Sequence, residues 1–187
     1  MAVAKPILSP TFLTYTLGCR VNQAEITDIK NKLINLGWLL HNVLAYRYTN
    51  TNEGQPDLVL INTCAVTSKA ERESRKAIHH FKRTYPKAKI VAFGCAAKFV
   101  KDADLIIENK SKYSVLEILS NTFARLFPSG PNHNSLFAIH DSFQSSGRAL
   151  LKIQEGCDKF CSYCIVPYLR GKPKSHPQEE VDRKSVV

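Results

Sequence analysis

The residues in this chain best suited to chemistry are its six cysteines, and their spacing divides them into two sets of three. One set is local: Cys157-Asp-Lys-Phe-Cys161-Ser-Tyr-Cys164, with gaps of three residues and then two. A zinc ribbon closes a four-ligand shell with two Cys-x-x-Cys hooks, and only three thiols lie together here. Three thiolates on one loop can hold three irons of a 4Fe-4S cluster and leave the fourth open to a substrate, whereas a purely structural cluster is normally closed by four. An open iron implies chemistry. Gly156 permits a tight turn, and Phe160, Tyr163 and Tyr168 are suited to shielding a reactive cluster from water. A structural zinc or disulfide loop is the competing reading, with zinc the main rival.

The other set, Cys19, Cys64 and Cys95, is dispersed, yet each cysteine directly follows a predicted strand. Taken singly, each reads as a small apolar residue buried near a strand end. An open parallel sheet, however, delivers the carboxyl ends of all its strands to one edge, so three thiols after three strands become neighbours there.

The pattern around them supplies such a sheet. Short apolar runs alternate with amphipathic stretches, as in an α/β fold. Strands are predicted at residues 12–17, 38–43, 57–61, 89–93 and 104–107. Helices are predicted from Asn22 to a stop at Gly37, from Lys69 to Tyr85 before Pro86, and over 111–127. Residues 46–56 read as a surface loop. Residues 128–147, rich in Ser, Asn, Gly and Pro, read as a linker between a domain at 1–127 and the start of another at 148–187. A strand over Ala149–Ile153 then leads into the local cysteine set.

With 44% apolar and 22% charged residues the composition is globular, which excludes disorder and fibrous repeats. No apolar run reaches the roughly 18 residues of a membrane span, and Pro6 and Pro10 interrupt any leader, so the sequence reads as cytoplasmic with no membrane partner. The net charge of +10 favours an acidic partner such as nucleic acid. Eight basic and two acidic residues fall between Lys69 and Lys89, so that helix is either a phosphate-binding face or a solvated one with Glu71 and Arg75 as a supporting pair. No aromatic-rich RNA-binding motif is present.

The segment from Lys152 through Gln-Glu-Gly-Cys157, Cys161, Cys164 and Ile-Val-Pro-Tyr-Leu-Arg-Gly171 resembles the radical S-adenosylmethionine methylthiotransferases. So do Thr16-Leu-Gly-Cys19-Arg-Val-Asn-Gln23, Asn62-Thr-Cys64-Ala-Val-Thr67 followed by Lys69-Ala-Glu-Arg-Glu-Ser-Arg75, and Gly94-Cys95-Ala. The likeness covers about residues 12–181 and is closest to the branch that acts on threonylcarbamoyladenosine beside the tRNA anticodon. Where the family often has an aromatic and then Gln after the third dispersed cysteine, this chain has Ala96, Ala97 and Lys98.

The resemblance implies an N-terminal parallel-sheet methylthiotransferase domain followed by the truncated start of a radical SAM partial TIM-type barrel. It implies two 4Fe-4S clusters and S-adenosylmethionine as cofactors. Cys19, Cys64 and Cys95 would hold the auxiliary cluster that carries the sulfur. Cys157, Cys161 and Cys164 would hold the catalytic one, which reduces S-adenosylmethionine to a radical that strips hydrogen from an adenine ring carbon. A second S-adenosylmethionine would supply the methyl group. Partners would be tRNA and an electron donor such as flavodoxin or ferredoxin. Related branches act on isopentenyladenosine in tRNA or on a ribosomal-protein aspartate. Family members continue with most of the barrel and a small RNA-binding β domain, so this chain alone is expected to be inactive or nearly so. Two other classes remain open: a noncatalytic metal-binding module that docks RNA, and a thiol redox protein, in which Cys157 would be idle.

Overall fold

The computed structural model describes residues 9–41, 55–127 and 150–185; most of the expected loop 46–56 and all of the linker 128–147 lie outside them. The described chain begins with β1 (Thr11–Thr16), α1 (Arg20–Asn35) and β2 (Leu39–Leu40), followed by β3 (Leu58–Thr63) and α2 (Ser68–Thr84). β4 (Lys89–Gly94), a 3-10 turn (Ala97–Phe99), β5 (Leu105–Ile107), a 3-10 segment (Asn109–Ser114) and α3 (Val115–Thr122) come next. The last part holds a 3-10 turn (Ala124–Leu126), β6 (Gln154–Glu155), α4 (Val166–Arg170), β7 (Lys174–Ser175) and α5 (Gln178–Ser185).

β1 to β5 form one wholly parallel sheet in the order β2-β1-β3-β4-β5. The period-2 alternation of side chains divides its core between two faces. Leu58 and Leu60 join Phe12, Ile26, Leu33 and Val115 on the face covered by α1 and α3. Val59 and Ile61 join Leu13, Ile78 and Tyr85 on the face covered by α2. β3 is buried along its whole length, as its unbroken apolar run requires. Strand order reverses between β1 and β3, and the crevice outside their carboxyl ends is where doubly wound sheets bind ligands.

Local chemistry fixes the ends of the helices. Cys19 is the N-cap of α1, so this helix starts two residues before the expected Asn22; it ends at Asn35 with Leu36 as its C-cap, and the chain turns away at Gly37, whose φ of +84° suits glycine. Thr67 caps α2 by accepting from the Ala70 amide at 3.1 Å. Three expectations are corrected. The strand over 38–43 is formed only at Leu39–Leu40, with residues 42 and 43 outside the described chain. The helix over 111–127 is broken into 3-10 and α pieces, because the segment turns Lys112 inward toward buried carboxylates. Leu150–Ile153 is not strand; β6 forms one step later, where β7 supplies an antiparallel partner.

Candidate cysteine site at the sheet edge

The dispersed cysteines occupy the positions that the parallel sheet dictates: Cys19 lies beyond β1, Cys64 follows β3, and Cys95 follows β4. The ladder continues past the strands to reach them, through Leu17 N–H to Asn62 O at 3.0 Å and Cys95 N–H to Thr63 O at 3.1 Å. Two glycines let these ends close on one another. A Cβ on Gly18 (φ +87°) would lie 2.3 Å from Cys64 Sγ, so the backbone beside Cys19 rests on the Cys64 thiol. A Cβ on Gly94 (φ +97°) would lie 2.3 Å from Asn62 Oδ1. Both positions need glycine for space and for backbone conformation.

Asn22, fully buried, ties the loops together by donating to Leu17 O at 2.9 Å and Thr63 O at 3.0 Å. Its Oδ1 lies 3.8 Å from the Cys19 thiol. Ser74 of α2 holds Cys64 by accepting from its amide at 3.0 Å. Burial pushes the Cys95 thiol up; the Arg170 guanidinium acts in the opposite direction, while Glu25 and Cys64 add to the rise. The structure therefore brings all three dispersed cysteines to one edge, with Cys19 exposed and the other two buried.

The local set forms a loop between β6 and β7. Gly156 turns with φ +79°, as expected, and a Cβ there would strike Lys172 O at 2.2 Å. The Cys157 amide donates to Gly171 O at 3.0 Å and that of Cys164 to Cys161 O at 2.9 Å. All six cysteines are free. The expected aromatic shield is not made: Phe160 and Tyr168 meet edge to face, but they and Tyr163 are exposed, because among the described residues nothing packs outside this short loop.

The two sets are not separate. α4, which follows Cys164, sets Leu169 against Ala65, Cys95 and Ala96. Asn109 Nδ2 donates to Leu169 O at 2.7 Å and lies 3.9 Å from Cys95 Sγ. Ala96 and Ala97 are fully buried, and the departure from the family wording puts the small side chain of Ala96 against Leu169 of the docked helix.

Beneath α4 lies a buried charge network. Glu25 of α1 accepts from Lys152 at 2.8 Å, Lys112 at 2.9 Å and Arg170 at 3.2 Å. Glu155 accepts from Lys152 at 2.7 Å, from Lys112 and from the Tyr113 hydroxyl, and lies 3.6 Å from Arg170. Burial raises both carboxyls, but their cationic partners outweigh it: Glu25 is held low and Glu155 is pulled down to about 2. Burial and the Glu155 bond push Tyr113 up to about 12. Against burial, the carboxylates hold the protons of Lys152 and Arg170 more tightly, and for Arg170 the Cys95 and Cys19 thiols add to this. Sequence reasoning missed this network, since Glu25 and Arg170 are 145 residues apart. Its only local trace is the placement of Lys152 and Glu155 just before Cys157 and of Arg170 just after Cys164.

Among the described residues, no group of three or more His, Cys, Asp or Glu side chains converges on one metal ion. A cluster distributes its cysteines over separate irons, so its thiols need not meet at a point. Free thiols at a common edge, cradled by glycines that leave them room and faced by a buried guanidinium, fit an anionic cluster.

Fold and site define a doubly wound α/β domain with cysteines gathered at the carboxyl edge of its sheet. The chain belongs to the uncharacterized protein family UPF0004, whose model matches residues 11–116. It is 39% identical over 178 residues to the threonylcarbamoyladenosine tRNA methylthiotransferase MtaB of Chlamydia pneumoniae, covering 91% of this chain and 38% of that protein. It is 36% identical over 182 residues to the protein of that name from Aquifex aeolicus, covering 89% of this chain and 42% of that one. With the tRNA-2-methylthio-N(6)-dimethylallyladenosine synthase of Staphylococcus haemolyticus it shares 30% over 189 residues, 91% of this chain and 35% of the relative. The chain thus spans about two fifths of the length of these curated relatives.

Proposed function

We propose that this chain is the cluster-bearing part of a tRNA methylthiotransferase that inserts a methylthio group into threonylcarbamoyladenosine next to the anticodon. Residues 1–127 form the methylthiotransferase domain and 148–187 the start of the radical SAM domain. Cys19, Cys64 and Cys95 hold an auxiliary 4Fe-4S cluster; Cys157, Cys161 and Cys164 hold the catalytic 4Fe-4S cluster, at which S-adenosylmethionine binds. Together these groups supply single-electron reduction and the sulfur and methyl that are transferred. The observation that carries this reading is the delivery of three free thiols to one sheet edge, with the second cysteine loop docked on it through Leu169 and Arg170. The choice of modified base follows the relatives, since those named for threonylcarbamoyladenosine reach 39% identity and that named for dimethylallyladenosine 30%.

The chain's own residues have defined tasks. Gly18, Asn22, Ser74 and Gly94 orient the dispersed thiols, and Gly156 and Gly171 shape the loop of the local set. α2 supports the RNA half of the proposal. Lys69, Arg72, Lys76, His79 and Arg83 recur at helical spacing on its outer side and are all exposed. Of the four Lys and Arg, only Lys76 is in an ion pair among the described residues. This ridge rises about 21 Å from a point just beyond Cys64 and suits a run of phosphates. No helix among the described residues is long and apolar enough to cross a membrane. The proposed enzyme works in the cytoplasm and takes its electrons from a donor such as flavodoxin or ferredoxin.

Anaerobic reconstitution tests the proposal. The chain should take up about eight irons with matching sulfide and 4Fe-4S spectra. Cys157→Ala and Cys64→Ala should each lose about half of the iron, and from different clusters. One zinc and no iron would leave a noncatalytic module in its place.

A further inference from the structure

The buried network holds three cations, Lys112, Lys152 and Arg170, against two carboxylates, Glu25 and Glu155. The side chains of Lys112, Arg170, Glu25 and Glu155 are all less than a tenth exposed. A buried surplus of one positive charge is costly unless an anion completes it. The placement of the surplus is specific. Arg170 Nη2 donates to Asn22 Oδ1 at 2.6 Å, and that same oxygen lies 3.8 Å from the Cys19 thiol. The charge of the guanidinium also acts on the Cys95 and Cys19 thiols. The cation sits on α4, six residues after Cys164, yet it faces the other cysteine set.

We propose that Arg170 is a positioning residue of the first cysteine set: carried by the helix that closes the second cysteine loop, it supplies the counter-charge for an anionic iron-sulfur group on Cys19, Cys64 and Cys95. Two cysteine sets that look independent in the sequence are then one electrostatic unit. The role rests on the cluster reading above and assigns Arg170 a task beyond shaping its own loop. Lysine would keep the charge but lose the two-pronged grip on Asn22 and Glu25, while glutamine would lose the charge.

The test uses the full chain with Cys157, Cys161 and Cys164 replaced by alanine, loaded anaerobically with iron and sulfide, so that only the first set carries iron. In that background R170Q should lower the midpoint potential of the cluster, because a positive charge favours the more negative, reduced form. The reduced-to-oxidised ratio at a fixed potential should fall about tenfold, a shift of about 59 mV for a one-electron couple. R170K should stay within about twofold of the parent ratio. Retention of iron by R170K but not by R170Q would likewise support the charge role. Equal potentials in parent, R170Q and R170K would overturn it, and so would equal shifts in both variants, which would mark a purely structural side chain. A parent that takes up no iron would instead refute the cluster reading itself, and the role of Arg170 with it.

Discussion

The backbone at Gly18 lies so close to Cys64 that a single added Cβ would stand 2.3 Å from its Sγ. The relationship joins two βα loops that only the parallel sheet makes neighbours, and it leaves the first loop no freedom to carry a side chain. Gly18→Ala meets two obstacles, a φ of +87° and the thiol itself. The left-handed conformation alone costs roughly 1–2 kcal/mol for a non-glycine residue. The variant should therefore be destabilised by about 2 kcal/mol or more in urea unfolding and should lose first-set iron on reconstitution. Gly37→Ala is a control for backbone conformation alone, since its φ is +84° with no atom within 4 Å of the added Cβ. It should lose stability and keep its iron.

The buried network predicts a steep contrast with surface pairs. Removing one partner of a buried ion pair leaves its counter-charge stranded and costs about 3–5 kcal/mol. Glu25→Ala should do so, because its side chain is 8% exposed and its loss leaves Lys112, Lys152 and Arg170 against the single carboxylate of Glu155. Lys76→Ala, which breaks the exposed pair with Glu73, should cost no more than about 1 kcal/mol. Urea midpoints for the two variants provide the comparison. Lys112→Met, which packs without charge, should be better tolerated than Glu25→Ala, because Lys152 and Arg170 would remain to pair with both carboxylates.

How much of this could be read in advance depends on whether the information was local. Strands such as Leu58–Thr63 announced themselves by composition, and turn chemistry at Gly37 and Pro86 placed two helix ends within about two residues. The shared edge of Cys19, Cys64 and Cys95 followed from topology, since parallel strands can end only on one side. The charge network could not be read. Lys112 and Lys152 look like ordinary surface lysines, and only the docking of α4 and β6 turns them inward. The strand over Ala149–Ile153 failed for a related reason. An apolar run becomes a strand only where a neighbour accepts its hydrogen bonds, and β7 offers that at Gln154–Glu155.

The same carboxylates set the acid limit of stability. Glu155 falls from 4.5 to about 2 on folding, and Glu25 moves in the same direction. A depressed folded pKa contributes stability that is fully present above the unfolded value and is lost as pH falls through the folded one. Stability should thus decline between about pH 4.5 and pH 2. The decline should be shallower in Glu155→Gln, which has no carboxylate to protonate. Tyr113 acts at the other end: its pKa rises from 10.0 to about 12, so its contribution is lost as pH climbs across that interval. Urea midpoints across pH for the parent, Glu155→Gln and Tyr113→Phe check both limbs. An acid limb unchanged in Glu155→Gln would refute its assignment to this residue.

The outer ridge of α2 gives a prediction about partners. If Lys69, Arg72, Lys76 and Arg83 meet phosphates, each contact releases counterions and adds about 0.7–0.9 to the slope of log affinity against log salt. Replacing all four with glutamine should weaken tRNA binding at low salt and reduce that slope by about three. Phosphate contacts position without reading bases, so the loss should be similar for tRNAs with and without the threonylcarbamoyl group. Lys110→Gln, which removes an exposed cation paired with Glu108 elsewhere on the surface, should leave the slope unchanged. Salt-dependent filter binding separates the outcomes: an unchanged slope in the fourfold variant would mean that the ridge is a solvated face and that RNA docks elsewhere. Because the ridge begins just beyond Cys64, a strand bound along it would run toward the cysteine edge, the orientation that the proposed chemistry needs.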